Sequence, residues 1–191
     1  RSTGDVAVVL RHAIRFADMS EQASVCLLTA DKWTEVAYAI TDDDWSKPTT
    51  CEEFSVRELV DHAMHCQAKG GGILAAGTAP CDEWNDVRPA LSAALEVPSN
   101  LDGTAEAFGG MPKQQVLGLL ITDLLVHSWD LARSLGVDET LPAAAVEAAL
   151  IGLQRMPEEM LRSGTMFAPA VEVADDASAQ DRLIAFTGRQ P

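Results

Sequence analysis

Aromatic residues make up only 5% of this 191-residue chain, and strand formers are few, so a fold built on a large sheet is not expected. Basic residues are scarce too: 14 Lys and Arg stand against 29 Asp and Glu, for a formal net charge of −15. No Lys/Arg cluster stands out along the chain, which makes nucleic acid and anionic membrane surfaces poor partners. No apolar run reaches membrane-spanning length. The start, RSTGDVAVVL, lacks a basic segment leading into a signal-peptide core, so the expectation is a soluble, cytoplasmic protein. The four cysteines, Cys26, Cys51, Cys66 and Cys81, contain no C-x-x-C pair. They signal neither a zinc knuckle nor a compact disulfide framework, and reduced thiols are expected.

What the chain has is hydrophobicity, 47%, rich in Ala and Leu and arranged with helical spacing. Its length suits one domain over residues 1–191, with a core bundle over about 20–160 and a tail over about 161–191. An extra N-terminal helix is expected over Asp5 to Ala17, and a second from about Ser24 to Ile40 ending in the turn TDDDW. The loop Trp45 to Phe54 follows. Ser55-x-x-Glu58 then opens a helix as a capping box, with Gly70, Gly71 and Gly72 expected to weaken its far end. A helix is expected over about Asp86 to Glu96, with Pro89 tolerable only in its first turn. Pro98 to Gly110 reads as a long connection. Pro112 to Gly136 bounds a helix of roughly six turns. Pro142 to Arg155 is a further amphipathic helix, Met166 to Val173 is extended but unsuited to a central strand, and Ser178 caps a last helix through Phe186 that ends at Gly188. The fold class is therefore all-α: a helical bundle with a partly irregular C-terminal tail.

The stretch ITDLLVHSWDLARSLG, Ile121 to Gly136, is apolar yet carries Asp123, His127 and Asp130 at i, i+4 and i+7. On a helix these three line one face, and on a buried helix they need partners. Only four histidines are present. His12 reads as a surface residue. On the Ser55 helix His65 falls nearly opposite the apolar face, whereas His62 falls near its boundary and is the better inward-looking candidate. His62, Asp123 and His127 together give two imidazoles and one carboxylate, the composition of a catalytic zinc site with an open position. Fe(II) and Ni(II) suit the same set. Asp130 is placed behind His127, orienting it or contacting a bound ligand. The alternative is that Asp123, His127, Asp130 and Ser134 are a solvent face; against it, the same line extended backward meets Leu119 or Leu120 and Val116. Trp45, Trp84 and Trp129 read as core or loop anchors.

Three stretches, WSKPTTCEEFSVRELVDH, DLLVHSWDLARSLG and FAPAVEVADDASAQDRLIAFTGR, resemble the DinB-like metal-binding superfamily, specifically its actinobacterial branch related to mycothiol-dependent maleylpyruvate isomerase. The resemblance implies a four-helix bundle with a metal near one end, held by a histidine of the second bundle helix and two ligands four residues apart on a later one. Carried over by motif, these are His62, Asp123 and His127. The isomerase branch has Glu where this chain has Asp123, so the carboxylate here is one methylene shorter. The resemblance also implies thiol chemistry, in which a metal lowers the pKa of a small thiol such as mycothiol and the thiolate adds to an electrophile. In the isomerase the tail contributes to substrate binding; Arg182 and Arg189 are acid-binding candidates on that basis, with structural roles favoured. A homodimer is implied by resemblance only. Cys51, in the loop where the family often has Cys, reads first as a packed residue and second as a fourth ligand or redox residue.

Three functions follow as expectations. The first is a metal- and thiol-dependent transferase or isomerase acting on a small electrophile, with Zn the leading metal and Ni or Fe the alternatives. The second is a metal-dependent hydrolase in which Asp130 is catalytic and handles protons. The third is a non-catalytic bundle that binds metal or a small ligand.

Overall fold

The computed structural model describes residues 20–51, 54–74, 83–162 and 166–191. The expected helix over Asp5 to Ala17, with His12, and the residue Cys81 lie outside the described residues. Those described form an all-α bundle of seven helices with one two-stranded hairpin. None of these helices is long and apolar enough to cross a membrane.

Helix α1, Glu21–Ala37, starts where the Ser20 hydroxyl accepts from the Ala23 amide at 3.2 Å. Helix α2, Val56–Leu74, starts on the expected capping box: the Ser55 amide donates to Glu58 Oε2 at 2.8 Å and the Glu58 amide to Ser55 Oγ at 3.4 Å. The loop before it folds back so that the carbonyls of Lys47 and Trp45 accept from the Val56 and Arg57 amides. Those would otherwise be orphan donors of a helix N-terminus. The loop carrying Thr50 and Cys51 is thereby held against the start of α2.

The glycines do not fray α2 as expected; it runs through Gly70 to Leu74. Packing overrides their poor helix propensity, because a Cβ at Gly70 would lie 2.2 Å from Leu120 Cδ1. Gln67, one turn earlier, donates to the Leu120 carbonyl at 3.0 Å, so α2 is tied to its neighbour where the two approach closely.

Helix α3, Trp84–Leu95, begins earlier than the expected start and carries Pro89 beyond its first turn. One intrahelical bond is lost there. Offsetting that loss, the Trp84 indole N–H donates to Thr34 Oγ1 at 2.8 Å and its ring meets Trp33 edge-on, centroids 6.1 Å apart. The connection after α3 holds the antiparallel pair β1, Thr104–Ala105, and β2, Met111–Pro112.

Helix α4, Lys113–Leu135, is the longest and packs against α1, α2 and the next helix, α5, Ala143–Gln154. Gly136 closes it at φ 69°, a left-handed cap that favours glycine. A short α6, Glu158–Arg162, leads to an extended segment with no strand, and α7, Ala179–Phe186, folds back on α5. One apolar cluster joins Trp33 and Val36 of α1 and Val56, Leu59, Val60 and Ala63 of α2 to Leu124, Leu131 and Ala132 of α4. His62, Asp123 and His127 belong to two of the three helices that share this cluster, α2 and α4.

Candidate metal centre

Fourteen residues of α4 are buried, and His127 and Asp130 are among them, at 7% and 0% exposure. The solvent-face alternative for this line therefore fails. Asp123, one turn before His127, is half-buried and faces α2, where His62 is also half-buried. His65 is exposed on the far side of α2.

The imidazole Nε2 of His62 lies 3.5 Å from Asp123 Oδ1, and that of His127 lies 3.6 Å from the same oxygen. The two rings stand nearly perpendicular with centroids 5.1 Å apart. One ligand atom from each of the three residues falls within 4.8 Å of the others. These separations are long for hydrogen bonds but close to the edge of a tetrahedron, about 3.3–3.6 Å, expected for N and O ligands at 2.0–2.2 Å from zinc. The other carboxylate oxygen, Asp123 Oδ2, is buried with no hydrogen-bond partner, an arrangement that costs free energy unless a cation or water satisfies it. On chemistry and spacing the three residues fit a divalent metal with an open position.

Protonation follows from the neighbours. The Asp123 carboxylate, and after it the Cys66 thiol 3.6 Å away, raise the pKa of His62 to about 10 against the opposing effect of burial. A cation bound there replaces that proton. Burial alone would raise the Asp130 carboxyl, yet hydrogen bonds from His127 and Arg189 outweigh it and hold its pKa down to about 2. Asp130 is thus an anion at neutral pH. It accepts from His127 Nδ1 at 3.0 Å, which puts a ring proton on Nδ1 and directs Nε2 at Asp123.

Asp130 has further partners that the helical period does not reveal. Arg189 grips it with a two-pronged guanidinium, Nε to Oδ1 and Nη2 to Oδ2, both at 2.7 Å, and Thr50 Oγ1 donates to Oδ1 at 2.6 Å. With four hydrogen bonds all its acceptor places are taken. The hint available in the sequence was a carboxylate on a buried face, which demands a cation, and Arg189 directly after a glycine. Arg182, by contrast, donates to the Ala177 carbonyl and is exposed.

A second potential ligand group, Cys51, His127 and Asp130, shares His127 with the first. Its cation position is already filled, because the Arg189 guanidinium occupies both Asp130 oxygens. Cys26 is buried within the bundle, and burial pushes its thiol up to about 12, which makes it an inert packing residue.

The fold and the His62, Asp123, His127 group define a helical bundle with a candidate two-histidine, one-carboxylate metal centre between two of its helices. Residues 26–94 match the family model of the mycothiol maleylpyruvate isomerase N-terminal domain. That match covers most of α1, all of α2 with His62, and nearly all of α3, and ends before Asp123 and His127. Two uncharacterized proteins of Mycobacterium tuberculosis, from strains CDC 1551 and H37Rv, are each 27% identical over 168 residues, covering 83% of this chain and 92% of theirs. No solved structure matches the chain significantly.

Proposed function

We propose that the protein binds a divalent metal through His62, Asp123 and His127, with zinc first and nickel or iron as alternatives, and uses it with a small thiol such as mycothiol to transfer that thiol to, or isomerise, a small electrophile. The observation that carries this reading is the convergence of two imidazole Nε2 atoms on one carboxylate oxygen whose partner oxygen is buried without a hydrogen bond. The match to a mycothiol-linked domain over residues 26–94 supports the thiol as co-substrate. A bound cation would supply the positive charge that brings a thiol's proton off near neutral pH. The chain's own residues do the rest. His62 and Asp123 are only half-buried, so they form the open side of the centre, and the Phe54 ring backs the His62 imidazole at a centroid distance of 5.1 Å. Asp130 has no exposed surface and no free acceptor position, so the proton-handling role expected of it narrows to orienting His127.

The test is metal content by mass spectrometry on protein purified without a His tag or chelator, followed by turnover of a panel of electrophiles with and without mycothiol. About one equivalent of metal, lost in His62→Ala and His127→Ala while the helical signal survives, with turnover only in the presence of thiol, is the expected result. Turnover without thiol would instead select a hydrolase. Absence of metal after purification and after incubation with Zn(II) would overturn the reading.

A further inference from the structure

The C-terminal residues reach the candidate centre through one side chain. After α7 the chain turns at Gly188, φ 86°, where a Cβ would lie 2.6 Å from the Ala168 Cβ and 3.0 Å from that residue's backbone. The Arg189 amide donates back to the Ile184 carbonyl at 3.2 Å, and its Nη1 donates to the Thr187 carbonyl at 3.2 Å. The turn is thus closed on itself and presents the guanidinium in one direction. That direction is Asp130, gripped on both oxygens by a side chain itself only 12% exposed. A planar fork on both oxygens fixes the plane of the carboxylate, which a point charge does not. The same Oδ2 that takes Arg189 Nη2 takes the His127 Nδ1 proton.

We infer that Arg189 is a positioning residue of the metal centre: acting through Asp130, it holds His127 with its proton on Nδ1 and its Nε2 directed at Asp123 and His62, so the turn at Gly188 is a working part of the site. The metal part of this inference rests on the metal-binding reading above; the effect on the ring does not. A tail that merely stabilises the fold makes a different prediction, and the structure supplies the control. Arg133 ties the same tail by donating to the Gln190 carbonyl at 2.8 Å and pairs with Glu139, without touching Asp130.

The experiment uses the full chain, labelled with 15N-histidine and metal-free, to read the His127 tautomer by long-range 1H–15N correlation. Zn(II) affinity is then measured by competition with a chromophoric chelator. Wild type is expected to show the Nδ1–H form. Arg189→Gln should give a mixture of tautomers and bind Zn(II) about 10–100-fold more weakly, the usual effect of losing an outer partner of a ligating histidine. Arg189→Lys, which keeps the charge but not the fork, should fall between the two, and it decides the matter if the glutamine variant does not fold. Arg133→Gln should lower the melting temperature and leave both readouts at wild-type values. An unchanged tautomer and affinity in the Arg189 variants, or an equal loss in Arg133→Gln, overturns the inference. Wild-type protein that takes up no Zn(II) sinks the metal reading, and the tautomer in the Arg189 variants then decides the role of Arg189 alone.

Discussion

Replacing Asp130 by Asn changes almost no volume and removes one charge at the most constrained point of the site. The amide oxygen can still accept from Thr50 and from Arg189 Nε, but the amide nitrogen now meets two donors, Arg189 Nη2 and His127 Nδ1. Stripping one partner from a buried pair costs about 3–5 kcal/mol, because the remaining charge is left uncompensated. Arg189 is 12% exposed and can recover some hydration, which places the loss near the lower end. His127 has one escape: it can move its proton to Nε2 and accept the amide N–H on Nδ1, regaining about 1 kcal/mol. That tautomer points an N–H where the metal would sit. Asp130→Asn should therefore remain folded, since a domain of this size has about 5–15 kcal/mol to lose, yet be about 3 kcal/mol less stable and bind Zn(II) about 10–100-fold more weakly. Urea denaturation of the metal-free protein and chelator competition measure the two quantities. A variant within about 1 kcal/mol of wild type that keeps its Zn(II) affinity would refute the assignment of Asp130 as the group that sets the His127 tautomer.

Three further outcomes are expected. In metal-free protein the His62 pKa is raised from 6.5 to about 10, so its pairing with Asp123 stabilises the fold fully below 6.5 and is lost as pH rises toward about 10. A pH series of denaturation midpoints should show that decline, absent in His62→Gln, and Zn(II) uptake at pH 8 should release about one proton per metal, read with a pH indicator. Gly70→Ala gains about 1 kcal/mol of helix propensity, but its Cβ would overlap Leu120, which is 6% exposed, at a cost of about 1–3 kcal/mol. A net drop in melting temperature is expected; a rise would mean that α2 and α4 do not approach as closely as described.

Much of the fold was legible because the signals are local. The Ser55 and Glu58 capping box, the Ser178 cap and Gly136 each act within one helical turn, and the structure has a helix end at each of them. The misjudged elements are those where distant packing outweighs a local preference. Gly70 weakens an isolated helix, but against Leu120 the missing Cβ is what lets two helices meet. Pro89 is tolerable locally only in a first turn, but Trp84, bonded to Thr34 and edge-on to Trp33, holds the start of α3 ahead of it.

The same distinction divides the site. His127, Asp123 and Asp130 share one helix, so the 3.6-residue period alone aligns them, and the apolar boundary of a second helix selects His62 over His65. Arg189 and Thr50 reach Asp130 across 59 and 80 residues of chain, and no period connects them. What the sequence does carry is a requirement: an ionised carboxylate on a buried helix face must find a cation, and with 14 basic residues against 29 acidic ones few cations are available. The His62 group balances Asp123 only with a proton held on His62, which the proposed metal would displace, whereas Asp130 is satisfied by the fixed charge of Arg189. One line of three polar residues on α4 thus divides into a carboxylate and imidazole proposed as metal ligands and a carboxylate held by the protein itself, and the His127 ring, hydrogen-bonded to Asp130 and 3.6 Å from Asp123, is where the two meet.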